Sequence, residues 1–186
     1  MTSYKKQKLT LAFAVIAGSA MLLPASASAE GFDGPYAGVQ GGIAILNAEG
    51  STLAGPIDTS DSEAFVGGLL GYRASLGDTG LVLGVEGDAG IGTDSGDARY
   101  GASGIAGIKL GSSSLLYTRV GYGWREGMPA TTGEGLVLGG GFETKLTDSL
   151  NLRLDYKHLG LGGTNFPDNT IDYSGHEVTG GVVLSF

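Results

Sequence analysis

From residue 36 onward the chain alternates. Ala37, Val39, Gly41, Ile43 and Ile45 fall on one parity and Gly38, Gln40 and Gly42 on the other, the period of two that belongs to a β-strand with unlike faces. The same alternation recurs over residues 64–73, 81–91, 100–110, 116–124, 136–145, 150–158 and 176–186, clearest where Leu150, Leu152, Leu154, Tyr156 and His158 oppose Asn151, Arg153, Asp155 and Lys157. Pro35 stands at the start of the first segment, where its missing N–H costs nothing. Short turns at 77–78, 111–114 and 147–149 alternate with polar connections at 46–63, 93–99, 125–134 and 160–175. No helical period appears between residues 30 and 186. The pattern predicts eight strands in an antiparallel meander with all long loops at one end.

Charge decides what the two faces meet. The apolar parities contain no Asp, Glu, Lys or Arg, and the opposite parities hold Arg73, Lys109, Arg119, Lys145, Arg153 and Lys157 against Glu86, Asp88, Glu143, Asp155 and Glu177. A single charge on a lipid-facing position near the bilayer centre costs roughly 2 to 4 kcal/mol, so bilayer exposure would enforce this segregation. The predicted fold is therefore all-β: an eight-stranded antiparallel up-and-down transmembrane β-barrel, lipid-facing outside, with a charged lumen. A soluble ligand-binding barrel of lipocalin type shares the strand count and the single apolar face, turned inward, and periodicity alone does not choose between them. Three features favour the membrane: the terminal Phe186, the near balance of the eleven charges, and aromatics toward the strand ends. Tyr72 and Phe186 would mark one rim, and Tyr100, Tyr122, Trp124 and Tyr156 the other.

Both termini carry addresses. Lys5, Lys6 and Lys8 precede an apolar run over residues 9–23, then Pro24 and a small-residue stretch ending Ala27-Ser28-Ala29. This is the pattern of a secretory signal peptide cleaved before Glu30, which divides the chain into residues 1–29 and a barrel domain over 30–186. Cleavage removes three of the 11 basic residues and none of the 19 acidic ones. The acidic remainder argues against nucleic acid as a partner. The absence of cysteine leaves no disulfide framework and no thiolate metal site. In the last segment, Thr179, Gly181, Leu184 and Phe186 follow the order polar, any, Gly, any, any, apolar, any, aromatic. This order resembles the C-terminal assembly signal of bacterial outer-membrane β-barrels, which implies the barrel-assembly machinery as a partner and the bacterial outer membrane as the location.

Gly34-Pro35-Tyr36-Ala37-Gly38, Gly84-Val85-Glu86-Gly87-Asp88, the stretch from Gly141 to Gly160 and the Phe186 ending together resemble the small OmpA-like, opacity-type outer-membrane β-barrel family (porin family). The likeness spans the whole mature chain and is most specific around Leu146-Thr147-Asp148 and the alternating leucines after it. It implies short periplasmic turns, long surface loops, no cofactor, and outer-membrane lipid and lipopolysaccharide as surroundings. Larger OmpA proteins add a peptidoglycan-binding domain, for which no residues follow Phe186 here. The resemblance leaves function open between porins, surface antigens and adhesins.

An eight-stranded barrel is about wide enough inside for side chains alone, so the eleven inward charges are expected to pair and plug it. The alternative is a narrow ion path through the same network. Loops 46–63 and 160–175 would meet a surface ligand, because loops on a rigid scaffold carry recognition. His158, His176 and Ser174 fall near the surface rim on the outward face. Their order does not match the His-x-Ser arrangement of lipid-deacylating barrels, so a lipid-acting enzyme is the weakest reading. Asp58, Asp61 and Glu63, or Asp94 and Asp97, lack the spacing of a defined calcium loop.

Overall fold

The computed structural model describes residues 32–52, 55–126, 133–166 and 169–186, with side chains outside 48–57 and 161–173; the predicted signal peptide lies outside the described residues. Eight strands form: β1 (Gly34–Thr52), β2 (Gly55–Ser75), β3 (Leu81–Gly92), β4 (Ala98–Leu110), β5 (Ser114–Arg125), β6 (Gly133–Lys145), β7 (Leu150–Phe166) and β8 (Asn169–Ser185). Each pairs antiparallel with its neighbours in sequence, and β8 closes on β1 to complete the barrel. The only departure from strand and turn among the described residues is one 3₁₀ turn at Gly77–Thr79.

The register fixes the size of the interior. Starting at Tyr36 and stepping through successive partners leads to Gly71, Glu86, Ser103, Gly121, Val137, Leu159 and Gly175, and returns to β1 at Leu46, ten residues further along. A stagger of that size over eight strands tilts them by about 40° and gives a backbone radius of about 8 Å. Such a lumen must be filled by side chains.

Outside, the apolar parities form one band. Val39, Ile43, Leu70, Val85, Val120, Leu138, Leu154 and Val178 are all exposed, Val85 by 64%. In a water-soluble protein this much exposed aliphatic surface would drive aggregation; here it is the face that lipid covers. Tyr100, Tyr122, Trp124 and Tyr156 sit toward the end of the band from which the long connections leave, and Tyr122 meets Trp124 edge to face at 5.1 Å.

Two segments expected as loops are strand instead. Residues 46–63 continue β1 through Thr52 and β2 from Gly55, and residues 160–175 continue β7 through Phe166 and β8 from Asn169. The register runs on unbroken from Leu46↔Asp61 to Thr52↔Gly55, while β1 and β8 stay paired as far as Ser51↔Thr170. Beyond the bilayer neither face has to be apolar, so alternation stops while backbone pairing does not. By contrast β3 meets β2 only from Phe65↔Gly92 downward, and β6 meets β7 only from Gly135↔Leu161. The contiguous strands β7, β8, β1 and β2 therefore rise as a wall above the rim made by β3 to β6.

Replacing Val85 by Lys is expected to destabilise the barrel by roughly 2 to 4 kcal/mol in urea unfolding from lipid vesicles. Asp58→Lys, on the wall, should leave the midpoint within error.

Candidate functional site

The charged parities converge in the lumen in three levels. Nearest the short turns, Arg73 and Glu143 form a two-pronged pair, with Nη1 and Nη2 each donating to a different carboxylate oxygen at 2.9 Å. Neither residue is more than 1% exposed. Asn151 Nδ2 donates to the same carboxylate at 2.9 Å and to Ser185 Oγ at 3.1 Å, tying the pair to the closing strand. The Arg73 guanidinium lies 4.1 Å from the centre of the Tyr36 ring.

One level up, two arginines alternate with two carboxylates. Arg153 Nη1 donates to Glu86 at 2.6 Å and its Nε to Asp155 at 2.6 Å. Arg119 stands 3.0 Å from Glu86 and 2.9 Å from Asp155, at ion-pair distance but not aligned as a hydrogen-bond donor. Two tyrosines flank this quartet: Tyr36 Oη donates to Glu86 and Tyr117 Oη to Asp155, each at 2.8 Å. Their positions need glycine. A Cβ on Gly71 would overlap the Tyr36 ring, and one on Gly141 the Tyr117 ring, so each aromatic lies flat over a bare stretch of the adjacent strand and leaves the axis to the charges.

At the top, Lys157 pairs with Asp88 at 3.0 Å, and Glu177 accepts from both Arg125, at 2.7 Å, and Arg99. Arg99 also stacks 3.5 Å from the centre of the Phe65 ring. Each buried charge in the three levels thus has an opposite charge beside it, the condition under which burial is tolerable at all.

Two of the eleven sequence-derived lumen residues stand apart. Lys109 meets Asp33 at 3.4 Å, half-exposed at the mouth nearest the short turns, and Lys145 Nζ lies 5.7 Å from the Phe32 ring centre. The other nine are Arg73, Glu86, Asp88, Arg119, Glu143, Arg153, Asp155, Lys157 and Glu177, and they form the levels just described. Sequence reasoning missed Arg99 and Arg125, assigned to loops although both continue the inward parity of their strands. It also missed Tyr36, Tyr117 and Asn151 as members of the network. Phe32, which precedes the first alternating segment, enters the barrel and is 1% exposed among Val82, Ile105, Leu115 and Tyr117. No alternation precedes it that could have signalled this; the turn at Gly34, with φ at +98°, sends it inward.

Among the C-terminal residues, Thr179 is buried in the lumen and Leu184 faces outward. Gly181 pairs with Gln40 and Arg153, where a Cβ would strike the backbone of β1. The N–H of Ser185 donates to Ser149 O at 2.9 Å and that of Phe186 to Pro35 O at 3.0 Å, so the last two residues are pinned from both sides.

The lumen makes a sharp energetic prediction. Arg73→Met, which strands the Glu143 carboxylate, should cost about 3 to 5 kcal/mol. Arg73→Met combined with Glu143→Leu should recover most of that loss, read as midpoint shifts in the same urea titration.

The barrel fold is shared with known proteins. No curated protein sequence matches the chain. Three solved structures of similar shape are those of neisserial surface protein A (NspA), OprG from Pseudomonas aeruginosa and Ail, the attachment invasion locus protein of Yersinia pestis. NspA is 19% identical, with a TM-score of 0.49, over 83% of this chain and 100% of its own. OprG is 11% identical, with a TM-score of 0.50, over 84% and 97%. Ail is 12% identical, with a TM-score of 0.41, over 81% and 99%. The family model for the outer membrane protein beta-barrel domain matches residues 13–186. With the closed barrel, the apolar band and the charged lumen in place, the chain belongs to the outer membrane protein β-barrel domain family, and its place is the bacterial outer membrane.

Proposed function

We propose that this protein is a plugged outer-membrane scaffold that presents its raised wall to a ligand outside the cell, in a structural and surface-interaction role. The carrying observation is the unequal height of the strands. β1, β2, β7 and β8 outrun β3 to β6 and keep pairing with one another, so the excess length is a rigid sheet held above the membrane. Among the described residues no strand covers the β3-facing edge of β2 above Glu63; the last contacts there are Thr93 N–H to Ala64 O at 2.9 Å and Ser95 N–H to Glu63 at 2.9 Å. That open edge bears exposed Asp58 and Asp61. Unpaired backbone flanked by carboxylates suits an extended, basic segment of a partner, which would add as a further strand while its cations meet the acids. Outer-membrane lipid and lipopolysaccharide around the apolar band, and the assembly machinery at the C-terminal strand, are the other partners this role requires. No step of it is enzymatic.

A narrow ion-conducting porin is the competing reading, and the paired lumen weighs against it. The purified barrel in a planar bilayer should be electrically silent. Discrete openings in the wild type that change with Arg119→Ala or Glu143→Ala would favour the porin. For the wall, an alternating Lys-Val peptide should bind in low salt and weaken several-fold in Asp58→Asn/Asp61→Asn. A barrel trimmed of residues 48–60 and closed by Asn-Gly should lose the binding while still inserting into lipid; undiminished binding by the trimmed form would overturn the role assigned to the wall.

A further inference from the structure

On the outward face of the barrel two imidazoles stand side by side. Across β7 and β8, His158 and His176 are direct register partners, the arrangement in which antiparallel side chains lie closest. Their ring centres are 4.9 Å apart. Both rings are half-exposed on the outer surface, beside Tyr156 at the edge of the apolar band. Tyr156 continues the contact: its Oη lies 2.7 Å from His176 Nδ1, and its ring stacks with the imidazole at 6.0 Å. These are the only two histidines in the chain, and neither takes part in the lumen network.

We propose that His158 and His176 form a two-imidazole site on the outer wall for a transition ion of the Zn(II) or Cu(II) class. Imidazole nitrogens are well matched to these ions, at bond lengths of about 2.0 to 2.1 Å. Rings that already face one another across adjacent strands need only rotamer adjustment to share one. The tyrosine supplies the orienting contact that metal-bound histidines usually have. In the tautomer that offers Nε2 as a lone pair, His176 Nδ1–H donates to Tyr156 Oη, so the same contact that holds the ring also sets its ligating atom. Among the described residues no group of three or more His, Cys, Asp or Glu surrounds a common point. The remaining coordination positions are therefore open, and at this depth they face water and lipid headgroups. The site is independent of the wall and of the surface role proposed above.

The experiment is a titration of the untagged barrel, extracted from outer membranes into detergent, with Cu(II) followed by electron paramagnetic resonance. One ion per barrel with nitrogen couplings from two imidazoles is expected. Either His158→Ala or His176→Ala should abolish the two-nitrogen signal, and Tyr156→Phe should weaken binding by about ten-fold or more. Unchanged gel mobility of the unheated protein shows that each variant remains folded. A measurement on the wild type alone runs in parallel: Zn(II) should protect both imidazoles from acylation by diethyl pyrocarbonate. A wild-type spectrum identical to that of His158→Ala, two-nitrogen binding that survives the double substitution, or imidazoles acylated equally fast with and without Zn(II) would each overturn the site.

Discussion

A bilayer offers no hydrogen-bond partners to a backbone, and the rest of this structure depends on that fact. Strands in lipid must pair on both edges, so the sheet has to close. Closure of eight strands with a ten-residue stagger leaves an interior only wide enough for side chains. Every later feature is a response to that narrow space, from the bare glycines under Tyr36 and Tyr117 to the packing of Arg153 between Glu86 and Asp155.

Filling the space with charge rather than hydrocarbon has a physical logic. If both faces of each strand were apolar, nothing would specify which one met the lipid, and a one-residue slip in register would carry little penalty. Placing Arg73, Glu86, Arg119, Glu143, Arg153 and Asp155 on a single parity makes the inverted arrangement prohibitively costly. The ion pairs themselves add little net stability relative to well-packed apolar residues of the same volume. Their contribution is to define one register and one inside.

How much of this was legible in the sequence varied with the environment of each segment. Inside the bilayer the two faces must differ, so period two is enforced, and β3, β4 and β5 were placed to within a residue or two at nearly every end. Above the bilayer neither face has to be apolar, so the upper halves of β1, β2, β7 and β8 carry no alternation and resemble loops in sequence. Parity identified which charges point inward but not which charge meets which. Glu143 lies opposite Arg153 in register, yet its partner is Arg73, 70 residues away across the lumen. Such pairings depend on stagger, a property of the closed cylinder that no single strand contains. Phe32 was invisible for a related reason, because its burial follows from a turn at Gly34 into a cavity the distant strands create.

The seam between β1 and β8 has a consequence for how the protein is made. Its contacts join the first residues of the barrel to the last, Phe186 to Pro35 and Ser185 to Tyr36. Contacts of such sequence separation form slowly, because the intervening chain must first be gathered. A polypeptide emerging from its N-terminus therefore waits for β8 with one strand edge bare and its aliphatic band unshielded. Its safe passage to the membrane is a matter of timing: the interval between export and closure, rather than the strength of the finished barrel, is where this molecule is most vulnerable to aggregation and proteolysis.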